Sequence, residues 1–101
     1  MAKYDLCEVY WPTVSFSFRI ESTDPESLAA LVKELDSKWP KFRSGGVKND
    51  AQEVLEATYQ SPTLDASPLF GPYRWAIKWL CHMGWEPFAV DNRRTWFRRK
   101  T

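Results

Sequence analysis

A chain of 101 residues, 44% hydrophobic and 27% charged, supports one modest core and predicts a single domain over residues 1–101. No apolar run approaches the roughly 20 residues that cross a bilayer, and Asp5 falls where a secretory leader would be apolar. A cytoplasmic protein is expected. The formal net charge is only +1, yet residues 1–66 hold eleven carboxylates against seven Lys/Arg and residues 67–101 two against seven, giving −4 and +5.

Tyr4 to Tyr10 mixes aromatic and β-branched residues with Asp5 and Glu8. Further on, Val14, Phe16, Phe18 and Ile20 alternate with Ser15, Ser17, Arg19 and Glu21. A period of two gives a strand one dry and one wet face. Between the two runs, Trp11-Pro12-Thr13 suits a turn because Pro12 has no N–H to donate to a ladder. A β-hairpin is expected.

A helix follows. Thr23 and Glu26 have the spacing of a capping box, and Pro25 suits a first turn. Leu28, Leu31, Val32, Leu35 and Trp39 then recur on one helical face, and Pro40 ends it. Residues 40–51, with Gly45-Gly46 and Asn49-Asp50, read as a loop. The next segment supports two readings. Asp50 and Glu53 could cap a helix over Ala51–Thr58, whereas Leu55, Ala57 and Tyr59 alternate as a strand. The strand is favoured, because a lone hairpin needs another partner to make a stable sheet.

Three prolines and a glycine in residues 61–72 argue against regular structure there. The second helix is expected from near Pro72 to Gly84, a natural residue just beyond a helix end. Tyr73, Ala76, Ile77, Leu80 and Met83 form its apolar side, with Trp75 and Trp79 beside them. Arg74, Lys78 and His82 make a narrow basic stripe. Glu86–Asp91 and Thr95–Lys100 then read as strands around a turn at Asp91-Asn92-Arg93. This order predicts an α+β fold: an antiparallel sheet of four to five strands with two helices packed on one face.

The stretch Ala76-Ile77-Lys78-Trp79-Leu80-Cys81-His82-Met83-Gly84-Trp85-Glu86-Pro87-Phe88-Ala89-Val90, followed by Trp96-Phe97-Arg98-Arg99, resembles a small uncharacterised bacterial family. Its members place a helix before a Gly-Trp-Glu turn, then a strand, then a closing aromatic strand ending in Lys/Arg. The resemblance covers about the last quarter of the chain and implies a helix followed by a hairpin. It brings no activity with it.

Catalytic chemistry finds little support in these residues. Cys81 and His82 are neighbours, and neighbours on a helix point about 100° apart, so they would not form a nucleophile–base pair. Cys81 reads as a small buried apolar residue and His82 as a polar helix-end residue. Cys7, Cys81 and His82 fall short of the four ligands of a structural zinc site. Two cysteines are too few for a disulfide framework, and reduced thiols are expected. Gly45-Gly46 lacks the context of a phosphate-binding loop. The carboxylate pairs Asp5/Glu8, Glu34/Asp36 and Glu53/Glu56 suit solvated positions. No catalytic residue, metal ligand or cofactor is assigned, and a non-enzyme is expected.

The basic C-terminal part holds four of the six tryptophans: Trp75, Trp79, Trp85 and Trp96. Arginine with tryptophan is the composition of binding hot spots. The expected contact surface is Arg74, Lys78 and Trp79 from the second helix with Arg94, Trp96, Arg98 and Arg99 from the last hairpin. The expected function is a small accessory module docking on an acidic protein surface. A nucleic acid is the alternative partner, its phosphates neutralised by the arginines while Trp96 stacks on a base. The opposite charges of the two halves also permit head-to-tail self-association, and no membrane partner is expected. A plainer explanation of the terminal arginines is that they protect an edge strand from aggregation.

Overall fold

The computed structural model describes residues 3–11, 17–44, 48, 49, 55–61, 67–91 and 93–100. The hairpin strands are β1 (Tyr4–Tyr10) and β2 (Ser17–Ser22). Of the expected turn between them, Pro12 and Thr13 lie outside the described residues, as do Val14, Phe16, Gly45-Gly46, Asp50, Glu53 and Asn92. Helix α1 covers Pro25–Lys38. The next strands are β3 (Arg43–Ser44), β4 (Lys48–Asn49) and β5 (Leu55–Gln60). After them come α2 (Phe70–His82), β6 (Glu86–Asp91) and β7 (Arg94–Lys100). The strand order is β3-β5-β2-β1-β7-β6, antiparallel throughout, with β4 also on β5.

Register follows from the alternation. Val9 pairs with Ile20 and Ile20 with Ala57, while Phe18 pairs with Tyr59 and Cys7 with Phe97. These side chains are all buried, so one sheet face is dry across four strands. Both helices cover that face. Leu28, Leu31 and Leu35 of α1 are buried, and Tyr59 donates its hydroxyl to the Val32 carbonyl at 3.4 Å. In α2, Ala76 and Leu80 are buried and Tyr73 packs its ring edge-on to Trp11 and Phe18, at 5.3 and 5.7 Å. The α+β architecture with both helices on one face is thus present.

Several local expectations shift. Residues 55–60 form a strand because they complete the second edge of β2, which a helix there would leave without a ladder. The loop expected over 40–51 contains β3 and β4, short strands that pair with β5. Regular structure also begins earlier than expected in residues 61–72. A 3-10 turn at Ser67–Leu69 leads into α2 at Phe70. Pro72 is compatible because it lies in the first turn, where an N–H has no intrahelical acceptor. Gly71 is compatible because it gives Trp39 room: a Cβ there would come within 3.2 Å of the indole.

The cap of α1 is Asp24 rather than Thr23. Its carboxylate accepts from the Glu26 N–H at 3.3 Å and from the Ser27 hydroxyl at 2.6 Å. The Thr23 hydroxyl oxygen accepts instead from the Leu6 N–H at 2.9 Å, tying the helix entrance to β1. Gly84 ends α2 as expected, with φ +91°. The Trp85 N–H returns to the Leu80 carbonyl at 2.9 Å and the Gly84 N–H to that of Cys81 at 3.2 Å, a Schellman closure that carries Trp85 into the core. Met83 leaves the apolar side and is 50% exposed at the cap.

The last strand is not an edge. Strand β7 lies between β1 and β6, so edge protection does not account for its arginines, and β6 is the terminal strand. No helix among the described residues is long and apolar enough to cross a membrane.

Candidate binding surface

Strand alternation divides the residues expected to form one surface. Arg94 faces Tyr10, Trp96 faces Glu8 and Arg98 faces Leu6, all on the sheet side away from the helices. Arg99 has the opposite parity and meets the entrance of α1. Arg74, Lys78 and Trp79 belong to the helix layer. Two groups result, separated by the sheet.

On the uncovered sheet face the arginines are already engaged. Arg94 Nε lies 3.1 Å from Glu8 Oε1, Arg19 Nε 3.4 Å from Glu21 Oε1, and an Arg98 guanidinium nitrogen 3.4 Å from Glu86 Oε1. Rings fill the spaces between them. Tyr10 lies between Arg19 and Arg94, at 5.0 and 3.9 Å, and Arg94 is also 5.4 Å from Trp96. Arg98 is 5.3 Å from Tyr4 and 5.5 Å from Phe88. Arg99 pairs with Asp24 and, at 3.7 Å, with Asp5, its guanidinium 4.5 Å from the Trp85 ring. The Ser27 hydroxyl, with Arg99 behind it, holds the Asp24 carboxyl below its ordinary range against the opposing effect of burial.

The division between acidic and basic halves is therefore partly cancelled in the fold. Pairing of β1 with β7 sets Glu8 beside Arg94 and Asp5 beside Arg99. An acidic row also forms: Glu8, Glu21 and Glu56 stand in register across β1, β2 and β5. Burial, then the neighbouring Glu8, raises the Glu21 pKa above its ordinary value, with Arg19 opposing. A shallow cavity of about 190 Å³ beside this row is bounded by Leu6 and Trp96. No group of three or more His, Cys, Asp or Glu among the described residues is arranged to hold a metal ion.

The helix layer differs in kind. An open depression of about 370 Å³ is lined by Trp75, Lys78, Trp79 and His82. A second, of about 240 Å³, is lined by Lys38, Trp39, Pro40, Lys41 and Phe42 where α1 ends. They adjoin: Lys38 Nζ lies 5.4 Å from the Trp75 ring centre, and Trp39 meets Trp75 edge-on at 6.2 Å. Arg74, on the same stripe as Lys78, lies 5.3 Å from the Phe70 ring. Among the described residues, Lys38, Lys41, Arg74 and Lys78 form no ion pair. The contribution of α1 was readable in principle, since Lys38-Trp39-Pro40-Lys41-Phe42 interleaves cations and rings as Arg74–Trp79 does.

The depression that includes His82 has no carboxylate among its described lining residues. Cys7 is buried and its pKa is pushed up to about 12, chiefly by burial, which keeps the thiol protonated. Cys81, expected inside, is exposed because it lies one position past Leu80 and off the buried stripe. The two thiols are not bonded. No family model, curated protein or solved structure matches this chain.

Proposed function

We propose that the protein is a non-enzymatic binding module of the cytoplasm that docks on an acidic macromolecule through its helix layer. The contact surface is Arg74, Lys78 and Trp79, joined by Trp75, Lys38 and Trp39. One observation carries this reading: these cations lack carboxylate partners among the described residues, whereas Arg94, Arg98 and Arg99 are matched within the chain. A cation already paired must lose its partner before it can bind another, while an unpaired exposed lysine gives up only water. The half-buried tryptophans beside the lysines supply apolar area at low entropic cost.

Both partner chemistries expected from the sequence, an acidic protein and a nucleic acid, present the required charge. Titration of tryptophan fluorescence with polyglutamate and with oligonucleotides at low salt tests the surface. A saturable change is expected with at least one of these polyanions. It should be lost in a Lys38→Glu/Lys78→Glu double variant and retained in Arg98→Gln. No response to either polyanion, or a response that survives the double reversal, overturns the assignment.

A further inference from the structure

The two adjoining depressions form a tract lined by three lysines, Lys38, Lys41 and Lys78, and three indoles, Trp39, Trp75 and Trp79, together with Phe42; Lys38 lies over the Trp75 ring and Trp39 meets that ring edge-on. We infer that the macromolecule this tract fits is a single-stranded nucleic acid. The inference rests on the helix layer being the docking surface. A single strand repeats one phosphate and one planar base per nucleotide, so a surface offering one cation per indole is its complement. An acidic polypeptide presents carboxylates without a flat ring in fixed proportion to them, and it would leave much of the indole surface unused.

Lys38, Lys41 and Lys78 carry compact ammonium groups, which neutralise phosphate as point charges without the fixed fork that arginine uses for bidentate recognition. Their companions Trp39, Trp75 and Trp79 are half-buried, anchored against the core while they line the depressions. A platform held by packing loses little freedom when a base stacks on it. Lys38, poised over Trp75, places a phosphate-neutralising group beside a ring. A duplex fits less well, because its bases are stacked on one another and present no free face to the indoles. Sequence preference should be slight, since every base has a face to stack.

Fluorescence anisotropy of a labelled oligothymidylate of about 12 nucleotides tests the inference, with a duplex of equal length and polyglutamate as competitors. The single strand should bind, and it should resist displacement by either competitor. If about three to four phosphates are neutralised, affinity should fall roughly 20- to 50-fold between about 50 and 200 mM salt. Trp79→Ala should weaken binding by about 5- to 150-fold, and Trp79→Phe should restore most of it. The Lys38→Glu/Lys78→Glu variant, whose two sites are exposed, should keep its circular dichroism spectrum and lose binding.

Three results overturn the inference, and they differ in what else they remove. Polyglutamate binding that depends on Lys38 and Lys78, with no binding of the oligonucleotide, leaves the docking surface standing with an acidic polypeptide as its partner. Duplex binding as tight as that of the single strand removes stacking and keeps only charge. Oligonucleotide binding unaffected by the double reversal and by Trp79→Ala removes both the inference and the surface it rests on.

Discussion

The two faces of this molecule carry similar residues to different ends. On the uncovered sheet face, Arg19, Arg94 and Arg98 each lie beside a carboxylate and stack on a ring, so their charge is used within the chain. On the helix layer, Lys38 and Lys78 sit by tryptophans with no carboxylate partner among the described residues. The difference teaches that density of basic residues along a chain is a poor guide to available charge. A strand pairs its charges with those of the adjoining strand. Where α1 and α2 adjoin, Lys38 meets a ring and no carboxylate among the described residues.

Detaching the helix layer should produce the largest effect. Leu80 is fully packed between α2 and the sheet, and Leu80→Ala should cost about 2–5 kcal/mol in chemical denaturation. If the tryptophan tract depends on that packing, ligand binding should fail in the same variant well before the midpoint of unfolding. An unfolding free energy within about 0.5 kcal/mol of the parent would show that α2 is held chiefly elsewhere.

Next in size is the junction of Asp24 and Arg99. Asp24→Ala removes the helix cap and an ion-pair partner together, and about 1–2 kcal/mol of stability should be lost near neutral pH. The sign of the pH dependence follows from the lowered pKa of the folded state. The contribution is present above the unfolded value of about 3.9 and is lost as pH falls through the lower folded value. Parent and variant should therefore converge in acid, and a constant gap between them down to the lowest accessible pH would contradict this.

A paired comparison sharpens the contrast directly. Arg94→Gln strands Glu8 opposite Glu21, and it should cost about 1 kcal/mol. Lys78→Gln should change stability by less than about 0.5 kcal/mol, because Lys78 has no carboxylate partner among the described residues. Equal costs at the two sites would erase the distinction drawn between the faces.

A small effect of the opposite sign is expected at Glu21. Because its folded pKa is raised, the native state holds a proton that the unfolded chain has released, and stability declines as pH rises from 4.5 through the folded value. Glu21→Gln should thus stabilise slightly at pH 7, by less than about 1 kcal/mol, and not at pH 4. Thermal melts at the two pH values would measure it. Destabilisation at pH 7 would mean that attraction to Arg19 outweighs the row of carboxylates.

Much of the fold was legible because its determinants are local. Leu28, Leu31 and Leu35 repeat at the helical period, Phe18 and Ile20 at the strand period, and Gly84 accepts the left-handed backbone that closes α2. The errors arose where a local signal admitted two outcomes. Thr23 and Asp24 can both cap a helix, and the β1 backbone claimed the hydroxyl of Thr23. Pro72 and Gly71 look like breakers until one lies in a first turn and the other makes way for Trp39. For the site, three of the seven expected residues kept together: Arg74, Lys78 and Trp79 share one helix flank. Strand parity set Arg94, Trp96 and Arg98 on the other side of the sheet and turned Arg99 to the entrance of α1, and parity becomes meaningful only when the dry side of the sheet is known.

Both helices, the hairpin strands β1, β2, β6 and β7 and the α+β class were already written in the sequence, because hydrophobic period, capping and breaking residues act over a few positions. Tertiary structure alone decided that β7 is interior, that Lys38-Trp39 and Trp75-Trp79 adjoin, and which charges are spent. Those outcomes depend on contacts between residues far apart in the chain. Asp24 and Arg99 are separated by 75 positions, and only closure of the sheet and docking of α1 make them neighbours.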